Sequence, residues 1–177
     1  FLKIKKSAIV QLNKNIKPIF KQRHSFKINS LKWVKTYINK GHSLIMGLKL
    51  YYGSWNHSKT VKFDIQPRDK ERWYQGIVGH PEPGSKDKRI CDQKGGGHSL
   101  IIVGYDDNRI IKTKMLMDDG SIKEFSYKGV YYFKNSWGVG GHGRDFTLNG
   151  VNYPGYGVIT QKYAHEHGRF FHLPTYK

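Results

Sequence analysis

Two short segments combine residue types that take part in proton transfer. The first, residues 95–106, reads Gly-Gly-Gly-His-Ser-Leu-Ile-Ile-Val-Gly-Tyr-Asp and places His98 ahead of an apolar run. The second, residues 132–138, reads Tyr-Phe-Lys-Asn-Ser-Trp-Gly and contains Asn135 and Trp137. The unperturbed pKa of an imidazole lies near neutral pH, so His98 is a candidate general base.

Each segment alone also has an ordinary structural interpretation. A histidine at the start of an apolar strand often caps the strand or satisfies a nearby carbonyl. Asparagine and glycine are common turn residues, and Trp137 is equally suited to plain core packing. Only the two segments together, in this order, predict a function.

As a pair, the segments resemble the papain-like cysteine peptidases. That family carries a Gly/Asn-His-Ala-Val-x-x-Val-Gly-Tyr strand followed by Lys-Asn-Ser-Trp-Gly. This chain has Gly-His-Ser-Leu-Ile-Ile-Val-Gly-Tyr and then Lys-Asn-Ser-Trp-Gly. Gly155-Tyr-Gly-Val-Ile159 is similar to the Gly-Tyr-x-x-Ile strand that follows in the family. With weaker likenesses at residues 38–45 and 73–77, the resemblance covers roughly residues 30 to 163.

The resemblance implies a role for each matching residue. His98 would take the proton of a thiol and later give a proton to the leaving amine. Asn135 would accept a hydrogen bond from the other ring nitrogen, and Trp137 would shield that contact from water. Gly96 and Gly97 would line the substrate cleft. No cofactor is implied and no metal site is expected, although His165, His167 and His172 near the C-terminus are potential ligands.

The nucleophile of this family lies in a Gln-x-x-x-x-x-Cys-Gly-Ser-Cys-Trp segment at the start of a long helix. Residues 1–30 contain no such segment, and Cys91 is the only cysteine. Cys91 falls in the charged segment 88–92, which we predict to be a loop with no activating helix. A free thiol, or a bridge to another chain, is the expected state of Cys91. The start at Phe1 is explained either by cleavage of a longer precursor or by artificial trimming of the chain. We expect the first, which leaves the cysteine on a separate N-terminal chain.

The elements that must position these residues are mostly strands. Ser30 and the apolar positions of residues 31–38 predict one helix near residues 31–40. Strands are predicted at residues 42–52, 61–65, 98–105 and 155–163. A hairpin is expected around Asp118-Asp-Gly-Ser121. The fold class is mainly β, or α+β when complete, with the antiparallel barrel-like right-hand domain of the papain fold.

Three regions are expected along the 177 residues. Residues 1–29 form a basic connector over the surface, with one strand at residues 7–12. Residues 30–163 form the papain-like β domain, and residues 164–177 form a basic, histidine-containing tail. One cysteine excludes a disulfide within the chain, and an aromatic content of 14% is unlike that of disordered chains.

The charge is strongly positive, since 31 basic and 13 acidic residues give +18. Such a field attracts an acidic partner chain, which we expect to be the cysteine-bearing one. The basic residues are scattered without a nucleic-acid-binding motif, so nucleic acid is not an expected ligand. No apolar run reaches membrane-spanning length. The sequence leaves the compartment open, and the resemblance favours a secreted or lytic location.

Three functions therefore compete. The first is a two-chain cysteine endopeptidase that cleaves peptide or protein substrates, with this chain supplying His98 and Asn135. The second is a catalytically inactive papain-like binding domain, which the missing nucleophile favours and the retained partner residues oppose. The third is a basic polyanion-binding protein unrelated to proteolysis.

Overall fold

Strands dominate the structure, a computed structural model that describes residues 26–28 and 30–172. The strands of this part of the chain are β1 (Phe26–Ile28), β2 (Leu44–Leu50), β3 (Ile77–Val78), β4 (Gly96–Leu116), β5 (Ile122–Lys134), β6 (Thr147–Leu148), β7 (Val151–Asn152), β8 (Tyr156–Thr160) and β9 (Gly168–His172). The helices are α1 (Leu31–Asn39), α2 (Lys59–Lys62), α3 (Lys70–Tyr74), α4 (Lys86–Lys94) and α5 (Gln161–His167). The prediction of a mainly β fold is confirmed.

Seven of these strands form one mixed sheet in the order β1-β9-β2-β4-β5-β8-β3. All neighbours pair antiparallel except β3 and β8, which run parallel. Closure into a barrel requires the edge strands to pair. The edge strands here, β1 and β3, do not pair with each other, and they have only three and two residues. The sheet is open, so the predicted barrel-like closure is wrong.

The centre of the sheet is the long hairpin of β4 and β5. Strand β2, which flanks it, alternates buried and half-buried side chains, as expected of a strand with one face on the core. The predicted hairpin is present, with β4 pairing from Ile110 to Leu116 against β5. The strand predicted at residues 98–105 does not end there, because residues 106–108 form an irregularity within β4, where Asp106 Oδ1 accepts hydrogen bonds from the Asn108 and Arg109 amides. These side-chain bonds replace ladder bonds, so the strand continues beyond them.

One apolar core lies against the sheet and receives side chains from several helices. Val34 of α1, Cys91 of α4 and Tyr163 of α5 are all fully buried in it. Ser30 caps α1 by accepting a hydrogen bond from the Trp33 amide, as predicted. The single amphipathic helix expected near residues 31–40 is therefore present as α1.

The expectation of only one clear helix is wrong, because the described residues contain five. The predicted strand at residues 61–65 is replaced by α2 and a turn. Val61 is 65% exposed, while Thr60 and Ile65 are buried, so the apolar alternation does not mark a buried face. The Thr60 hydroxyl donates to the Tyr52 carbonyl and fixes this turn on the core.

Helix α4 was not expected because its sequence is charged almost throughout. Ser85 caps it by accepting from the Lys88 amide, and Asp87 lies in its first turn. The Asp87 carboxylate is fully buried and accepts hydrogen bonds from the Gly53 and Ser54 amides and from the Ser54 hydroxyl. Capping and this one buried carboxylate, rather than an apolar stripe, hold the helix in place.

The described residues include only part of the predicted connector and of the predicted tail. Most of the predicted connector, including the strand expected at residues 7–12, lies outside the described residues, whereas residues 26–28 form β1. Part of the predicted tail, residues 164–172, belongs to α5 and β9, and β9 lies between β1 and β2 in the sheet. Among the described residues, no helix combines the length and apolar character needed to cross a bilayer.

Candidate active site

The strand register brings His98 and Asn135 to the same end of the central hairpin. His98 lies near the start of β4 and pairs with Leu48 of β2. Asn135 directly follows the last residue of β5, which pairs with Ile101. Since β4 and β5 are antiparallel, the start of one strand meets the end of the other. His98 Nε2 and Asn135 Oδ1 are 2.9 Å apart.

Two further contacts fix the orientation of the Asn135 amide. The Ser136 amide donates to Asn135 Oδ1 over 2.8 Å, which identifies that atom as the oxygen. Asn135 Nδ2 lies 3.4 Å from His142 Nδ1 and donates to it. His98 must then donate from Nε2, so its lone pair is on Nδ1. Nδ1 makes no hydrogen bond with any residue that the structure describes, and the His98 side chain is partly exposed.

Two tryptophans hold the His98 ring. Trp137 stacks on it with ring centroids 4.1 Å apart and an interplanar angle of 26°. Trp55, which is fully buried, meets it edge-on at 5.6 Å and 85°. The indole of Trp137 thus covers one face of the imidazole next to its bond to Asn135, which limits access of water to that bond.

Several members of this cluster cannot be recognised from any local sequence pattern. His142 is fully buried, and its ring lies 5.1 Å from that of Trp55 and 4.9 Å from that of Trp73. His57 packs edge-on against both Trp73 and Trp137. These residues come from different loops, and no regular spacing links them to His98. The position of His142 within the glycine-rich segment 138–143 is the one sequence feature that could have drawn attention to it.

The backbone around His142 tolerates no side chain at residue 143. Gly143 has a φ of +76°, and a Cβ there would lie 1.9 Å from the Tyr156 carbonyl oxygen. The Gly143 amide donates to the Trp73 carbonyl. This close approach presses the loop onto β8 and keeps the neighbouring His142 beneath the Asn135 amide.

Burial lowers the pKa of His98, and the hydrogen bond to Asn135 opposes this effect. Burial also lowers the pKa of His57, with smaller contributions from Lys59 and Arg68. The imidazole of His98 is therefore neutral at neutral pH, with a free lone pair on Nδ1. A neutral imidazole with that geometry can accept a proton from a group placed beside Nδ1.

Acid should destabilise the protein through His142. Burial lowers the pKa of His142 from its usual 6.5 to about 3. The unfolded chain then binds a proton that the folded chain excludes, so this contribution is complete above pH 6.5 and is lost as the pH falls toward 3. We expect His142→Phe to flatten the pH dependence of the free energy of unfolding over this interval, as measured by urea denaturation. An unchanged pH dependence would contradict this assignment.

Cys91 lies on the core side of α4 rather than in the predicted loop. It is fully buried, its thiol donates to Asp87 Oδ1, and its sulfur accepts from the Tyr52 amide. Burial, together with the charge of Asp87, raises the pKa of Cys91. A thiol in this state is a poor nucleophile. A helix is present after all, and burial and the neighbouring carboxylate are the reasons to set Cys91 aside.

The burial of Cys91 predicts resistance to thiol reagents. We expect iodoacetamide to leave Cys91 unmodified in the folded chain and to alkylate it in urea, as read from the intact mass. The buried thiol is inaccessible and protonated, whereas the unfolded chain exposes it. Comparable alkylation rates in both states would show that the thiol is reachable.

The two glycines predicted to line the cleft and the three C-terminal histidines lie in different parts of the structure. Gly96 and Gly97 open β4 immediately before His98, and a Cβ at Gly97 would meet nothing within 4 Å. Their place in a substrate cleft stays a prediction. The three C-terminal histidines do not converge, since His165 bonds to Tyr131, His172 stacks on Tyr37 and His167 lies beside Tyr51.

Together these contacts form a half-site that can accept, hold and return one proton. Nδ1 of His98 receives it, Asn135 holds the ring by Nε2, and Trp137 covers the ring face. No protein-family model matches this chain, and no curated protein matches it. The functional assignment therefore rests on these residues and their geometry.

Proposed function

We propose that this chain supplies the histidine and asparagine of a papain-like cysteine endopeptidase. The nucleophilic cysteine comes from a separate N-terminal chain of the same precursor. The observation that carries the proposal is the oriented imidazole of His98. Its Nε2 is held at 2.9 Å by Asn135 Oδ1 and its face is covered by Trp137, while Nδ1 keeps a lone pair.

The geometry supports a thiolate–imidazolium mechanism. A thiol placed beside His98 Nδ1 transfers its proton to that atom, and the thiolate attacks the carbonyl carbon of a peptide bond. The imidazolium then returns the proton to the leaving amine, and water hydrolyses the resulting thioester with His98 as the base. Asn135 keeps the ring oriented through both transfers without placing a negative charge beside the imidazolium.

The nucleophile is assigned elsewhere because Cys91 is unsuited to the role. Its thiol is buried and donates to Asp87, so activation would require breaking that contact and rebuilding the core. The net charge of +18 favours an acidic partner chain that docks beside His98. The substrates proposed are peptides and proteins, and the partner would share in setting their side-chain preference.

The proposal is tested on protein purified from its native source under non-denaturing conditions. Intact mass spectrometry should find a polypeptide that contains this sequence together with a second polypeptide. A peptidyl epoxide that alkylates active-site thiols should label the partner and leave Cys91 unmodified. A polypeptide that contains this sequence, has no partner and is not labelled by the probe would favour an inactive papain-like binding domain. Labelling of Cys91 would overturn the assignment of the nucleophile.

A further inference from the structure

His80 is a buried histidine that lies outside the candidate active site. Its side chain is fully buried just after β3, and neither Nδ1 nor Nε2 has a hydrogen-bond partner among the described residues. Leaving a buried polar atom unsatisfied costs about 1–3 kcal/mol. Such a residue calls for an explanation, and a bound ion is one that its surroundings can be tested for.

Two ligand-type side chains at the end of α5 face this histidine. Glu166 Oε2 lies 3.3 Å from His80 Nε2 and 3.9 Å from His167 Nε2. One ligand atom from each of the three residues lies within 4.8 Å of the other two. The rings of His80 and His167 are nearly parallel, at 21° and 5.6 Å. Tetrahedral zinc with bonds of about 2.0–2.1 Å needs its ligand atoms roughly 3.3 Å apart, so small side-chain shifts suffice.

The contact of His167 with the Tyr51 hydroxyl shows which ring nitrogen of His167 carries the proton. The Tyr51 hydroxyl donates its single proton to Asp92 Oδ1 over 2.7 Å. His167 Nδ1 lies 3.4 Å from the same hydroxyl and must be the donor in that contact. The lone pair of His167 is then on Nε2, which is buried without a partner in the part of the chain described. Metal-binding histidines commonly show this arrangement, in which the second ring nitrogen donates to an oxygen.

We propose that His80, Glu166 and His167 bind a divalent transition metal ion, with zinc as the best match. Two imidazoles and one carboxylate form a ligand set typical of zinc, with water as the fourth ligand. A neutral imidazole has one nitrogen with a lone pair, and neither nitrogen of His80 has a hydrogen-bond partner among the described residues. Such an ion would satisfy two of the buried nitrogens and join α5 to the segment after β3.

A second acidic residue, Glu82, lies beside these ligands. Glu82 Oε1 lies 3.8 Å from His80 Nε2, but it accepts hydrogen bonds from Lys162 and from the Tyr127 hydroxyl, both over 2.9 Å. Both of these hydrogen bonds use Oε1, and they pair Glu82 with Lys162 close to the site. Glu82 therefore reduces the repulsion between Lys162 and a cation.

The test uses the full chain without a histidine tag, stripped of metal with a chelator and then dialysed. Calorimetric titration with zinc chloride should show one ion per chain, and cobalt(II) should give the intense visible absorption of a tetrahedral site. Glu166→Gln and His167→Gln should each weaken zinc binding at least about tenfold, and Tyr51→Phe should weaken it roughly tenfold to a hundredfold. Glu124→Gln, at an exposed glutamate of β5, is the matched control and should bind as the unmodified chain does.

Weaker zinc binding in Glu166→Gln can be distinguished from misfolding, because Glu166 is half-exposed and its replacement should not impair folding. Absence of stoichiometric binding at micromolar zinc would overturn the proposal. Equal affinity in Glu166→Gln and the unmodified chain would overturn it too, by placing the ion elsewhere. Zinc should also raise the melting temperature of the unmodified chain but not that of His167→Gln. None of these measurements depends on peptidase activity.

Discussion

His98→Ala is expected to lower kcat/KM for peptide hydrolysis by the proposed two-chain enzyme at least about a thousandfold. In the proposed mechanism the substitution removes the Nδ1 lone pair that accepts the thiol proton and the acid that protonates the leaving amine. Asn135→Ala should have a smaller effect, because the imidazole remains but loses the 2.9 Å contact that orients it. Steady-state kinetics with a fluorogenic peptide would measure both effects.

The control for this experiment is a histidine outside the site. His42 is half-buried and packs against Tyr37 and His172, so His42→Ala should leave kcat/KM unchanged. Association with the partner chain should be intact in both variants, as measured by size-exclusion chromatography. Activity retained in His98→Ala would rule out the proposed general base. Equal losses in His42→Ala would indicate a general effect on folding.

The largest expected effect on stability is that of Asp87→Ala, about 3–5 kcal/mol in the free energy of unfolding, since each unsatisfied buried donor costs about 1–3 kcal/mol. The buried carboxylate accepts from the Gly53 amide over 2.8 Å and from the Ser54 amide and hydroxyl over 2.7 Å. It also accepts from the Cys91 thiol over 3.2 Å. Removing it leaves several buried donors without an acceptor, and each such donor is costly. Urea denaturation of the purified protein measures the loss.

Asp119→Ala is the matched control, because Asp119 is exposed and bonds only to Ser121 within its own turn. We expect it to cost less than about 1 kcal/mol. Asp87→Asn should lie between the two, since an amide keeps one acceptor oxygen but adds donors that the site has no use for. A loss for Asp87→Ala no larger than that for Asp119→Ala would show that the carboxylate does not hold α4 against the loop at residues 53–54.

The residues of the candidate site that could be predicted are those that belong to short sequence motifs. His98, Asn135 and Trp137 stand in two short segments, and the pairing of β4 with β5 brings those segments together. Trp55 and His142 reach the same cluster from separate loops, through ring contacts that no short-range pattern records. Identifying them requires the packing of loops that are far apart in the sequence.

The sequence by itself determined the mainly β class, the strand at β2, the central hairpin and helix α1, because two-residue alternation, turn residues and helix caps are local properties. Only the tertiary structure decided that the sheet stays open, that Cys91 lies buried on a helix, and that His80 meets Glu166 and His167. Each of these depends on which distant segments pack together. That choice is made by burial and buried hydrogen bonds across the whole fold, as the contact of Asp87 with Gly53 and Ser54 illustrates.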